Sequence, residues 1–149
     1  MAKKTNAIRQ IERAGVEHEV RSYEIAIEDF SAAAVAELIG MAPQQVFKTL
    51  AARSAPQAPC LAVVAGDAEL DLKALARAAG ERRMELVPVA ELEKLTGYSR
   101  GAVTALGIKK RMPVYLDATA MDHDRIAVSA GVKGLQVLLS PTDYVALTA

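Results

Sequence analysis

The sequence predicts an α+β fold: a compact single domain over residues 1–149, with helices flanking a mixed, barrel-like β-sheet. Three observations carry this. Stretches with one apolar helical face start at polar caps and stop at glycines. Between them lie short apolar runs, some alternating with polar residues and some unbroken, as strands require. Strands mostly follow strands, with helices inserted, so the order departs from strict βαβ alternation. With 149 residues and 52% hydrophobic content, the chain can bury one ordinary core. Having no Trp, two Phe and four Tyr, it must build that core from aliphatic side chains.

Taken in order, Thr5 or Asn6 caps a first helix with Ile8, Ile11 and Ala14 on one face, and Gly15 stops it. Val16–Tyr23 alternates and reads as a strand. Ser31 opens an alanine-rich helix with Val35, Leu38 and Ile39 inward, ended by Gly40. Pro43 begins a short turn that delivers the chain into a strand at Val46–Ala52. Ser54–Pro59, with two prolines, is a loop, and the unbroken apolar run Cys60–Ala65 is a buried strand. Asp71 caps a helix through Leu72, Leu75 and Ala79, with Gly80 after it. Met84–Val87 is a strand candidate, and Pro88 starts a helix through Leu92 and Leu95 that stops at Gly97. Strands are expected at Pro113–Asp117, Arg125–Ser129 and Leu135–Leu139. Ser140-Pro141 initiates a closing helix containing Tyr144, Val145 and Leu147.

Composition excludes several classes. Eighteen basic residues balance eighteen acidic ones, so no global field recruits nucleic acid and any such binding needs a local patch. The single Cys60 rules out an intramolecular disulfide and a cysteine-based metal cluster, which fits a reducing cytosol. The opening Met-Ala-Lys-Lys-Thr-Asn lacks the apolar core of a secretory signal, and no apolar run approaches the ~18–20 residues of a membrane span. A cytoplasmic protein without a membrane segment is expected.

Protein-based nucleophilic catalysis finds little support. His18 sits in the first strand and His123 in the polar turn Met121–Asp124; no motif links either to a serine or to Cys60. A G-x-S-x-G elbow is missing, and a thiol heading an apolar strand is normally inert. Asp122, His123 and Asp124 lack metal-ligand spacing, while Asp67, Glu69 and Asp71 match only the start of a calcium loop, so no metal is expected.

Lys48 is the unusual charge. On a strand it shares a face with Val46 and Leu50, while Phe47, Thr49 and Ala51 share the other. Either Lys48 points into a cleft, where an ammonium calls for an anionic ligand, or Phe47's face is the core and Lys48 is solvated. Gly97–Gly107 contains three glycines among small residues, which lets backbone N–H groups approach a ligand carbonyl or phosphate. Lys109, Lys110 and Arg111 follow it, with Arg100 and Lys133 as possible neighbours in a phosphate-binding patch. Ser129–Gly134 is a second glycine turn between strands, read from pattern alone as a hairpin.

Taken together these segments resemble the YbaK/EbsC-type Cys-tRNA(Pro) deacylases, which are related to the editing domain of prolyl-tRNA synthetase. The resemblance rests on an ordered set spanning nearly the whole chain. Tyr23-Glu24 is followed by Phe47-Lys48-Thr49-Leu50, then Asp71-Leu72-Lys73 and Thr96–Gly101 read as T-G-Y-x-x-G. Leu106–Arg111 as L-G-x-K-K-R and Val128–Gly131 as V-S-x-G complete it.

The resemblance implies a mixed α/β domain that accepts the aminoacyl 3′ end of mischarged tRNA(Pro), most often Cys-tRNA(Pro). The substrate's own thiol would attack the ester and leave as a thiolactone, with no metal or organic cofactor. By position, Lys48 would anchor the terminal phosphate and ribose. Gly101 and the backbone after it, at Ala102 and Thr104, would hold the aminoacyl carbonyl. Tyr23, Ser129 and Gly131 would line the amino-acid pocket. Arg100, Lys109, Lys110, Arg111 and Lys133 would meet tRNA phosphates, with prolyl-tRNA synthetase as a partner. Three departures lie at the pocket. Gly101–Ala105 lacks the family's second glycine and proline, Ala130-Gly131 stands for Gly-Gly, and Gln136 replaces a common acidic residue. They leave open removal of alanine or serine by water attack, a non-catalytic module that binds tRNA or the synthetase, and a small-molecule hydrolase using Cys60.

Overall fold

The computed structural model describes residues 4–24, 31–54 and 57–149. Among these residues five α-helices accompany seven strands, which form two open sheets in an α+β arrangement. Helix α1 (Asn6–Ala14) begins where the Thr5 hydroxyl accepts from the Ile8 N–H and ends at Gly15 in the left-handed region. Strand β1 (Glu19–Ser22) follows, then α2 (Ala32–Ile39), capped by Ser31 and ended by Gly40. A 3-10 turn at Pro43–Gln45 delivers the chain into β2 (Phe47–Ser54). Strand β3 (Gln57–Ala65) starts earlier than expected, taking Pro59 into register opposite Arg53, so the expected loop shrinks to a tight reversal whose residues 55–56 lie outside the described ones.

Helix α3 (Leu72–Ala79) is capped by the Asp71 carboxylate, β4 is only Glu85–Leu86, and α4 (Val89–Thr96) stops at Gly97. Beyond the glycine loop come β5 (Val114–Leu116), β6 (Ile126–Ser129), β7 (Leu135–Leu139) and α5 (Pro141–Thr148), the last capped by Ser140. A 3-10 turn at Ala118–Asp122 replaces the simple polar turn expected before β6.

One sheet runs β1-β7-β6 and the other β4-β2-β3-β5, antiparallel except for the β3–β5 pair. They do not close into the barrel-like sheet that the sequence suggested, and the reason lies along one edge of β2. Its other edge is taken by β3 over the whole strand. On the free edge, β4 pairs only at Ala52 and Arg53, while Val46 makes a single bridge to Ala127 of β6. Between those two points β4 and β6 diverge, and among the described residues no strand pairs with the middle of β2 along this edge. That gap becomes a cavity.

The main core collects Ile8 and Ile11 of α1, Phe47 and Ala51 of β2, Leu61 and Val63 of β3, and the inward residues of β6 and β7 around fully buried Tyr144. Val35, Ala36 and Ile39 of α2 cover the opposite face of β6 and β7 at Ala127 and Leu138. Helix α3 covers Ala52, Cys60 and Ala62.

Two charged groups brace the frame. Arg53 reaches Glu91 at 2.9 Å and Glu85 at 3.7 Å, tying β2 to β4 and α4. Glu19 accepts from Arg21 at 2.8 Å and Arg125 at 2.9 Å, while Arg21 also donates to the Ile39 carbonyl at the end of α2. The Arg21 hydrogen bond, then the Arg125 one, hold the Glu19 carboxyl down at about 2, below its ordinary 4.5. A carboxylate depressed in the folded state adds stability that is complete above its unfolded pKa and disappears on acidification. The stability gap between wild type and Glu19→Gln is therefore expected to shrink as pH falls from 4.5 through 2. Because the group is exposed, added salt should narrow it too. Denaturant melts across that range check this; a gap that widens with acid would contradict it.

Candidate functional site

The cavity beside the free edge of β2 has a volume of about 1020 Å³. One wall is β2 itself, from Val46 to Ala51. A second is apolar, made by Leu86, Val87, Val89 and Leu92 of β4 and α4, and is held in place by the Arg53 ion pairs. Ser129 and Gln136, directly paired across β6 and β7, form a third. Arg100, Gly101, Val103 and Lys133 come from the two glycine turns.

Lys48 lies in this cavity, half-buried, while Phe47, Thr49 and Ala51 are buried. Residues of both faces of β2 line the cavity, Phe47, Thr49 and Ala51 as well as Lys48 and Leu50, while Phe47 and Ala51 also join the main core and Ala52, on Lys48's face, lies under α3. Lys48, Arg100 and Lys133 place three cations around the cavity, and no Asp or Glu lines it among the described residues. Such a site draws an anion.

The Gly97–Gly107 loop is organised by side chains from within and beside it. Thr96 Oγ1 accepts from the Tyr98 N–H at 3.0 Å, and Tyr98 Oη donates to the Leu106 carbonyl at 2.7 Å. Burial pushes the Tyr98 phenol above its ordinary pKa, so it remains the donor. The Ala102 N–H donates to the Ser99 carbonyl at 2.9 Å, closing a turn in which Gly101 takes φ +87°. A positive φ at the third position of a turn calls for glycine. Ser129 Oγ then donates to the Ala102 carbonyl at 2.8 Å and accepts from the Gly131 N–H at 3.1 Å, fastening the loop to β6.

These bonds sort the residues expected to act. Lys48, Arg100, Gly101, Ser129 and Lys133 share the cavity. Both backbone groups of Ala102 are committed to the loop, so it buttresses Gly101 instead of facing a ligand. Thr104 is fully buried, its hydroxyl accepting from the Leu106 N–H. Gly131 sits behind Ser129 against the Tyr98 ring. Tyr23 is half-buried against the α2 cluster that includes Val35 and Val46, and stands behind the cavity wall. Lys109 and Lys110 are exposed away from it. Arg111 borders a separate cavity of about 430 Å³ near α1 and α5 and bonds the Ala149 carbonyl.

The residues considered for other chemistry fall outside the cavity. Cys60 is buried under α3, and burial raises its thiol pKa. His18 bonds the Val16 carbonyl, and His123 packs edge-on against Phe47 at 6.4 Å. Among the described residues no three His, Cys, Asp or Glu side chains gather to hold a metal. No helix there is long and apolar enough to cross a membrane.

Sequence reasoning missed the apolar wall at Leu86–Leu92 and placed Gln136 at the pocket only as a departure from the family pattern. The signal for the wall was Leu86 and Val89, apolar residues left exposed beside a proline. For Gln136 it was one amide inside an otherwise apolar strand that is buried at every position.

The aminoacyl-tRNA editing domain model matches residues 28–147. The chain belongs to the aminoacyl-tRNA editing domain family. Within it, the provisionally named Cys-tRNA(Pro)/Cys-tRNA(Cys) deacylase EbsC of Enterococcus faecalis is 39% identical over 97% of this chain and 88% of its own length. The multifunctional Ser/Thr-tRNA deacylase ProXp-y of Escherichia coli is 31% identical over 74% of this chain and 69% of its own. A crystal structure provisionally described as a trans-editing enzyme for prolyl-tRNA synthetase superposes with a TM-score of 0.83, at 23% identity, over 99% of this chain and 94% of that one. The fold and the family placement therefore agree, and the two sequence relatives carry the names of aminoacyl-tRNA deacylases.

Proposed function

We propose that this chain is a cytoplasmic trans-editing deacylase that clears mischarged tRNA(Pro), with Cys-tRNA(Pro) as principal substrate. The composition of the cavity carries the reading. Lys48, Arg100 and Lys133 line the cavity together with Gly101, and the Ser129 Oγ proton is engaged with the Ala102 carbonyl. Lys48 suits the phosphate and ribose of the terminal adenosine, and the Gly101 N–H suits the ester carbonyl as charge develops on it. With no activated protein nucleophile, the substrate supplies one. Its thiol sulfur bonds the carbonyl carbon and the bond to the ribose oxygen breaks. The thiol proton ends on that oxygen, and a cyclic thiolactone leaves.

The 39% identity to EbsC supports cysteine as the residue removed. A protein of zero net charge needs help in finding tRNA, which supports prolyl-tRNA synthetase as a partner. A second reading, removal of serine or threonine by water attack, draws support from the 31% identity to ProXp-y.

The test is release of amino acid from Cys-, Ser- and Ala-tRNA(Pro), with and without the synthetase. Release from cysteine first, with thiolactone as product, supports the thiol route. Release of serine with free acid as product supports water attack, and no release at all from any substrate removes both. Cys60→Ala is expected to retain activity within about twofold, since its thiol is covered by α3 and inert. Loss of activity in a folded Cys60→Ala protein would instead revive a cysteine-based hydrolase.

A further inference from the structure

Gln136 is a polar group in the cavity that the reading above leaves unused. It is 5% exposed, lines the cavity, and faces Ser129 across the β6–β7 pair. Its Oε1 has no hydrogen-bond partner among the described residues. Buried amides are normally satisfied, because an unpaired one forfeits its bonds to water without replacement. Ser129 does not help: its hydroxyl proton goes to the Ala102 carbonyl. An unpaired amide in the wall of a binding cavity is complementary to a ligand group that completes it.

We propose that Gln136 reads the side chain of the aminoacyl group, selecting a small residue that ends in a neutral hydrogen-bond donor, O–H or S–H, over one that ends in a methyl. The proposal rests on the deacylase reading of the same cavity. Charge decides between a neutral donor and the substrate's α-ammonium. Lys48, Arg100 and Lys133 line the cavity and no Asp or Glu does among the described residues, which favours a neutral donor over a further cation at Gln136. A neutral donor meets no such penalty, and a terminal methyl leaves Oε1 unpaired. Apolar pockets separate isosteres poorly, whereas a site that must hydrogen-bond its ligand rejects analogues lacking the partner.

The test compares initial rates on Cys-, Ser- and Ala-tRNA(Pro) for wild type, Gln136→Leu and Gln136→Met. Wild type is expected to favour the Cys or Ser substrate over Ala, and both variants to narrow that ratio about tenfold, the size of one hydrogen bond. Which of the two substrates loses more identifies S–H or O–H as the group read. If all three rates fall in step, or the ratio stays as in wild type, Gln136 is only a strand residue and the proposal is overturned while the deacylase reading stands. If wild type releases nothing from any substrate, the deacylase reading falls, and this proposal with it. Should the apolar variants melt early, Gln136→Asn keeps an amide but withdraws it by one methylene. A narrowed ratio there supports the proposal and an unchanged one overturns it.

Discussion

Lys48→Ala is expected to lower kcat/KM for deacylation by ~10²-fold or more, the scale of losing a group that positions the substrate at the reacting centre. The fold should not notice. Lys48 is half-buried at the edge of the cavity and enters no ion pair among the described residues, while Phe47 and Ala51 on the other face carry the packing of β2. Circular dichroism and the melting temperature should therefore match wild type. Lys48→Arg sharpens the test. If Lys48 supplies only charge, arginine restores much of the rate; if it must fit a single phosphate or ribose oxygen, the wider guanidinium does not. A folded Lys48→Ala protein with full activity would remove Lys48 from the site.

The difficulty of reading Lys48 from sequence shows where sequence logic ends. The caps at Thr5, Ser31, Asp71 and Ser140, and the stops at Gly15, Gly40, Gly80 and Gly97, are local devices, so the helices they bound were legible to within a residue or two. Lys48 depends on something non-local. Its neighbours Val46 and Leu50 are apolar, so both faces of β2 look buried, and only the divergence of β4 from β6 along one edge leaves Lys48 beside a cavity. The same divergence defeats the expected barrel, since nothing in β2 itself records that it has two partial partners on one edge.

The basic residues teach a related lesson. Lys109, Lys110 and Arg111 form the densest cationic cluster in the sequence, yet they lie off the cavity, while the isolated Lys48, Arg100 and Lys133 converge on it. Adjacent residues on an extended loop splay apart, whereas charges from a strand and two separate turns can meet. The ordered family motifs pointed to Lys48, Gly101 and Ser129, which the fold brings to one cavity. They said less about the residues that hold the site in shape: the commitment of Ala102 to its loop and the clamp of Tyr98 on Leu106 are contacts that only the fold makes.

Gly107→Ala is expected to destabilise the protein by about 3 kcal/mol or more, which for a chain of this size is a fall of about 6–12 °C in melting temperature. Gly107 has φ +65°, where a side chain is already strained, but strain is the smaller part. A Cβ there would lie 2.5 Å from the Ala7 nitrogen and 2.6 Å from the Asn6 carbonyl oxygen, in the first turn of α1. These are backbone atoms, so no rotamer can yield; the helix must move. Gln10 prevents that from being cheap, because its amide accepts from the Gly107 N–H at 2.7 Å and donates to the Leu147 carbonyl at 2.9 Å, joining loop, α1 and α5. Gly97→Ala is the control. Its φ is +81° with nothing within 4 Å of the added methyl, so it should cost only the left-handed strain, about 1–2 kcal/mol. Equal losses in the two variants would mean that α1 yields freely, and that the approach of loop to helix does not hold this end of the fold. A larger loss at Gly107, with kcat/KM of the surviving folded protein also reduced, would show that the loop carrying Gly101 is held in shape from its far end.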